Sequence, residues 1–157
     1  MNTQEIKQLC RRLMETSDAV YLTTIDPDGF PDTRAMLNLR NATQYPQLSA
    51  FFEPYQESLT IYFSTNTSSQ KIQELLRNPK ASVYYCLPKQ FQGVMLSGQL
   101  EQVPDMEIKC ALWQENWTMY YPGGVEDPDN SVLRLVPRML KGWANVNRFQ
   151  LNLQENA

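Results

Sequence analysis

Apolar residues recur along this chain with two different periods. Over residues 4–16, Ile6, Leu9, Cys10, Leu13 and Met14 fall at i, i+3, i+4, i+7 and i+8, the repeat that gathers one face of a helix. Asn2 and Glu5 stand at capping-box spacing before it, and Lys7, Arg11, Arg12 and Glu15 occupy the opposite side. From Ala19 to Ile25 the chain turns β-branched and aromatic, which predicts a strand. Asp26-Pro27-Asp28-Gly29 supplies a turn, and Pro31–Leu39 returns as the second arm of a hairpin. A polar loop over 41–47 precedes a short strand predicted around Ser49–Phe52. Leu59–Ser64 is a further strand, followed by hydroxyl-rich residues 65–69 and a short helix over 69–77 that Asn78-Pro79 stops. Ala81–Leu87 and Val94–Val103 read as strands separated by Pro88-Lys89-Gln90. Pro104-Asp105 opens a helix predicted to reach about Tyr120, with Met106, Cys110, Trp113 and Trp117 on one face. Tyr121-Pro122-Gly123-Gly124 breaks it, and residues 126–130 form an acidic turn. Val132–Val136, Gly142–Val146 and Arg148–Leu153 are the remaining expected strands.

About seven strands at hairpin spacing, with two longer helices and one short one, predict a mainly β (α+β) domain: a closed or split antiparallel barrel. No internal repeat or linker divides residues 1–157, so one domain is expected. At 157 residues and 42% hydrophobic, the chain is long enough to bury a core without disulfides or metal. Three cysteines, an odd number with no CxxC spacing, predict free thiols in a reducing compartment. Cys10, Cys86 and Cys110 all read as buried small hydrophobes. The net charge of -3 and the lack of a basic run argue against a nucleic-acid partner. The N-terminus has no apolar signal region and no run reaches the ~18 apolar residues of a membrane span. A cytoplasmic protein without a membrane partner is expected.

One count narrows the chemistry most: there is no histidine. Histidine acid–base catalysis, Ser-His and Cys-His nucleophile pairs, and histidine-ligated zinc or haem are therefore excluded. Carboxylates, lysine, tyrosine, a thiolate or a bound cofactor remain. Residues 64–71, Ser-Thr-Asn-Thr-Ser-Ser-Gln-Lys, leave a strand and enter a helix. Hydroxyls, free backbone N–H groups, the positive end of a helix dipole and Lys71 converge there, which suits a phosphate; the same residues also suit ordinary helix capping. Arg34, amid Ala35, Met36 and Leu37, needs a carboxylate or phosphate partner, with Asp32 or Glu101 as the candidate carboxylates. Trp143 could flank a planar ligand or plug the barrel end. Asp105, Glu107, Asp127 and Asp129 read as solvated or capping groups.

Taken in order, these segments resemble the pyridoxamine 5′-phosphate oxidase-like flavoproteins with the FMN-binding split barrel (a Greek-key barrel of six to seven antiparallel strands with flanking helices), and within them the short general stress protein 26-like group. The likeness rests on Val20-Tyr21-Leu22-Thr23-Thr24 with its Asp-Gly turn, Arg34-Ala35-Met36-Leu37, and Ile61-Tyr62-Phe63-Ser64-Thr65-Asn66. Lys71-Ile72, residues 78–83, Leu96-Ser97-Gly98, and Tyr121-Pro122-Gly123-Gly124 with Asp127-Pro128-Asp129 complete it. The resemblance implies that Arg34, Ser64, Thr65, Ser69 and Lys71 hold an FMN phosphate. It implies that the backbone of Met36 and Leu37 approaches the flavin ring, and that Trp143 flanks the flavin across a homodimer interface. FAD or the deazaflavin F420 is the alternative cofactor. The glutamine contact of the oxidases falls on Gly93, one position from Gln92, and their later arginine is approximated by Arg148.

Two departures bear on activity. The oxidases place a lysine on the substrate phosphate five residues after the motif arginine, where this chain has Leu39. They also use a histidine on the substrate. The resemblance therefore implies a flavin site with a rewritten, unknown small-molecule substrate: a flavin-dependent oxidoreductase linked to stress response, or a non-catalytic flavin-binding protein that sequesters or senses.

Overall fold

The computed structural model describes residues 1–154. Helix α1 (Thr3–Thr16) begins on the expected box: the Asn2 side chain accepts from the Glu5 amide at 2.9 Å, and the Glu5 carboxylate accepts from the Asn2 amide at 2.8 Å. Its buried face is Ile6, Leu9, Cys10, Leu13 and Met14. Strands β1 (Ala19–Ile25) and β2 (Pro31–Leu37) form the predicted hairpin, with Leu22 opposite Arg34. Asp26 Oδ1 accepts from the amides of Asp28 and Phe30, while Gly29 takes φ 87°, a value only glycine adopts without strain.

The segment after the hairpin departs from expectation. Ser49–Phe52 is a helical turn, α2, set between 3₁₀ turns at Pro46–Leu48 and Glu53–Tyr55. Leu48, Phe52 and Tyr55 follow helical spacing, and Pro46 and Pro54 occupy first-turn positions, where a missing N–H costs nothing. Next come β3 (Ile61–Asn66), α3 (Gln70–Arg77), β4 (Lys80–Leu87) and β5 (Gln92–Gln102). Helix α4 (Met106–Leu112) then ends eight residues short of the expected Tyr120. Trp113 leaves the helix at φ -59°, ψ 139°, and a 3₁₀ turn follows over Glu115–Met119. The Gln114 amide donates to the Leu112 and Trp113 carbonyls, and Trp113 meets Trp117 edge-on at 5.9 Å. That break removes the expected single face: Trp117 is buried, but Met106 and Cys110 are exposed. Finally, the two strands expected at 132–136 and 142–146 are one, β6 (Asn130–Ala144), paired with β7 (Asn147–Asn152). A bulge opposite Ser97 and Gly98 accommodates Pro137 and Arg138 without breaking it.

All seven strands form one antiparallel sheet in the order β2-β1-β4-β5-β6-β3, with β7 also on β6. The sheet curls until its edge strands β2 and β3 approach each other without pairing, which makes a split barrel. The barrel holds Leu22, Phe63, Val83, Tyr85, Leu96, Leu133 and Leu140, with α1 and α3 packed against it. A second cluster on the outer face of β3 joins Tyr62 and Val132 to Leu39, Phe52, Leu112 and Trp117. No helix among the described residues is long and apolar enough to cross a membrane.

A candidate anion site at the barrel seam

The seam between β2 and β3 is where polar side chains enter the barrel. Register sets their direction. Arg34 faces Leu22, which is fully buried, so the guanidinium points to the interior side of an edge strand. Its Nη1 donates to Thr24 Oγ1 at 2.5 Å and to the Asp32 carbonyl at 3.0 Å. Its Nη2 donates to the Asp32 carboxylate at 2.7 Å and to Glu74 at 3.2 Å. Asp32 is thus the expected carboxylate partner. Glu101 is not: it pairs with Arg134 at 2.8 Å on a different part of the sheet.

Glu74 comes from α3 and is only 1% exposed. Burial pushes its carboxyl up, but hydrogen bonds from Thr24 and Arg34, the Arg34 charge and a bond from Gln70 outweigh burial and leave it below the ordinary carboxylate range. Sequence reading missed this residue. The available signal was its place between Ile72 and Leu75, both buried, on a helix too short to leave that position in solvent.

From α3, Lys71 Nζ donates to Thr65 Oγ1 on the other edge strand, β3, at 2.8 Å. Burial and then the charge of Arg34 hold the Lys71 ammonium below the usual lysine range, with Glu74 opposing them. Two cations therefore feel one another across the seam. Ser69 caps α3 by position, yet its hydroxyl makes no capping bond. Its Oγ is buried with no hydrogen-bond partner among the described residues, and such an atom is costly unless a ligand or water satisfies it. The loop leading there is pinned from the turn before β6: Asp129 accepts from Asn66 at 2.6 Å and from the Ser68 amide at 2.8 Å. Asp129 thus braces the loop ahead of α3.

The structure brings Arg34, Thr65, Ser69 and Lys71 to this seam; Met36 follows on the Arg34 face of β2, while the Ser64, Leu37 and Trp143 side chains point away from it. Ser64 lies on the opposite face of β3, on the side of Tyr121. Met36 is half-buried against the core and Leu37 is exposed on the other side of β2. Trp143 stands on the outer face of the sheet, tilted against Tyr84 at 5.7 Å. With Thr23, Lys141 and Arg148 it lines an open cleft of about 1150 Å³. Gln92 is held by Arg12 at 2.5 Å. Leu39 is 2% exposed in the second core cluster. Beside it the Arg40 guanidinium donates to the Tyr55 and Thr60 carbonyls and stacks over Phe52 at 4.7 Å.

The thiols offer no nucleophile among the buried positions. Burial pushes Cys10 up to about 12; Cys86 is half-buried rather than buried, and partial burial raises it too; Cys110 is exposed rather than buried.

Comparison with known proteins adds a lineage to this geometry. Residues 6–144 match the protein family described as pyridoxamine 5′-phosphate oxidase. A pyridoxine/pyridoxamine 5′-phosphate oxidase of Azorhizobium caulinodans is 32% identical over 90 residues, which are 57% of this chain and 35% of that one. The chain thus spans about a third of the length of the curated relatives it matches. Among solved structures, a protein from Clostridium acetobutylicum related to general stress protein 26 of B. subtilis superposes with a TM-score of 0.78. It is 24% identical, covering 99% of this chain and 100% of that one. A pyridoxamine 5′-phosphate oxidase-related, FMN-binding protein of Nostoc punctiforme gives a TM-score of 0.63 at 17% identity, covering 94% and 86%.

Proposed function

Since the chain belongs to the pyridoxamine 5′-phosphate oxidase family, we propose that it is an FMN-binding flavoprotein whose phosphate site is the β2–β3 seam. The observation that carries this reading is the unpartnered, buried Ser69 hydroxyl beside Lys71, with Arg34 across the seam. Those residues fit a phosphate: two cations, a hydroxyl without a partner and the start of an eight-residue helix. Arg34, Lys71, Thr65 and Ser69 would hold the phosphate, and Ser64 would not reach it from the opposite face of β3. The Nostoc relative is an FMN-binding protein, which supports this cofactor over FAD or F420. Bound FMN would supply hydride or electron transfer, which needs no protein histidine.

In this reading the protein acts as a homodimer. Arg34 and Trp143 lie on opposite faces of one sheet, so a flavin meeting both needs two copies of the chain. The substrate differs from that of the oxidases. Leu39, at the position of their substrate-phosphate lysine, is buried in apolar packing, and no histidine exists to serve the substrate. A small cytoplasmic oxidoreductase of the general stress protein 26-like group fits best. A non-catalytic flavin carrier is the second reading, favoured by the absence of the oxidases' substrate groups.

Titration of the purified protein with FMN, followed by flavin fluorescence, tests the site. Binding at micromolar FMN is expected; no binding at tens of micromolar would sink the proposal. Reduction of the bound flavin by NADH or NADPH with steady turnover would favour the enzyme over the carrier.

A further inference from the structure

Arg34 has five N–H donors, and the four terminal ones are already committed to Thr24, Asp32 and Glu74. A phosphate can use the guanidinium fork only if some internal acceptor yields. The two carboxylates differ in how readily they can do so. Glu74 is 1% exposed and held as well by Thr24 and Gln70; releasing it would strand a buried charge. Asp32 is 44% exposed at its side chain, sits two residues from Arg34 on an edge strand, and has open water to turn into. Within the described residues Arg34 is the side-chain partner of its carboxylate.

From this asymmetry we infer that Asp32 is a built-in competitor for the anion site: its carboxylate occupies the place on Arg34 that a ligand phosphate takes, and is displaced when the phosphate binds. Glu74 is the fixed counter-ion that keeps Arg34 aimed at the seam throughout. With Asp32 in place, Arg34 and Lys71 are balanced by Asp32 and Glu74. Once Asp32 leaves, one positive charge remains uncompensated, and the phosphate supplies the opposite sign. The contact therefore sets ligand specificity. It makes the empty seam unattractive to weak anions and reserves it for a phosphate that carries further binding groups, such as the ring of a flavin. This inference rests on the proposed FMN site.

The test compares wild type with Asp32→Ala and Asp32→Asn, titrated with FMN and with riboflavin, which lacks the phosphate. Asp32→Ala is expected to tighten FMN about fivefold, the scale of one partly exposed ion pair, and to leave riboflavin unchanged. Asp32→Asn, which keeps an acceptor without the charge, should fall between. The gain should vanish in Asp32→Ala/Arg34→Ala. Equal or weaker FMN binding in both Asp32 variants would overturn the inference, as would an equal gain for riboflavin. Failure of every variant, wild type included, to bind FMN would instead overturn the flavin site itself. Thermal unfolding of each variant identifies one that fails to fold; the other Asp32 variant then decides.

Discussion

Arg34 from edge strand β2 and Lys71 from α3 approach the same space, and the Lys71 ammonium is depressed first by burial and then by the Arg34 charge. An anion between them offsets the latter. Replacing either by alanine should weaken FMN by about 1.5–3 kcal/mol, the scale of a lost charge-assisted hydrogen bond, measured by flavin titration. The pH dependence has a definite sign. Neutral Lys71 cannot hold a phosphate, so affinity should decline as pH rises, beginning below the ordinary lysine value of about 10.4, and Lys71→Arg should remove the decline. Glu74 acts at the other end. Its folded carboxyl lies below its unfolded value, so its contribution to stability is present above about pH 4.3 and is lost as pH falls through the folded value. Glu74→Gln should flatten the acid side of a plot of Tm against pH. The basic half of this site was legible in sequence, because a lysine after a run of hydroxyls and an arginine inside an apolar strand are local signals. Glu74 was not: a glutamate in a short helix is an ordinary surface residue until tertiary packing buries it, and nothing within a few residues announces that Thr24 and Arg34 will meet it.

At the scale of elements, alternation and turn chemistry located the first hairpin, β4 and β5 to within two residues. The misreadings share a cause. Residues 49–52 and 113–120 are aromatic-rich, and aromatic residues serve strands, helices and 3₁₀ turns alike. Which form they take depends on the Phe51, Phe52, Tyr55, Tyr62 cluster and on Trp113 against Trp117, all contacts settled by the rest of the fold. The apparent gap in β6 has a different origin. Pro137 ordinarily ends a strand, but here it sits at a bulge where Gly98 crosses close beneath it. A Cβ on Gly98 would run into the Val136 carbonyl oxygen, a backbone atom that cannot swing aside. Gly98→Ala should therefore cost on the order of 1–3 kcal/mol of stability, read as a fall in Tm or in the urea midpoint with m unchanged.

For the whole molecule, the decisive property is that the barrel does not close. Edge strands exposed in this way invite a partner, and the outer cleft with Trp143 and Arg148 lies on the other side of the sheet from the seam. Sedimentation is expected to give the mass of two chains, and Trp143→Ala should lower flavin affinity without changing the ionic-strength dependence that Arg34 and Lys71 confer. A monomer with full FMN affinity would contradict the shared site. Sequence pattern reached the barrel but not its seam: strand order is a property of long-range pairing, and the meeting of β2 with β3 joins residues about thirty positions apart that share no hydrogen bond.

The length of β6 bears on how the protein comes apart. Its first half pairs with β3 and steadies the loop that carries Ser69; its second half carries Trp143 and pairs with β7. Both halves also pair with β5. One continuous strand thus links the anion seam to the Trp143 face, which in the proposed dimer would serve the partner's flavin, so neither region has a private route to unfolding. In native-state amide exchange, the β6 amides bonded to β3 and those bonded to β5 beyond the bulge should open with a single common free energy, and saturating FMN should raise that value equally for both.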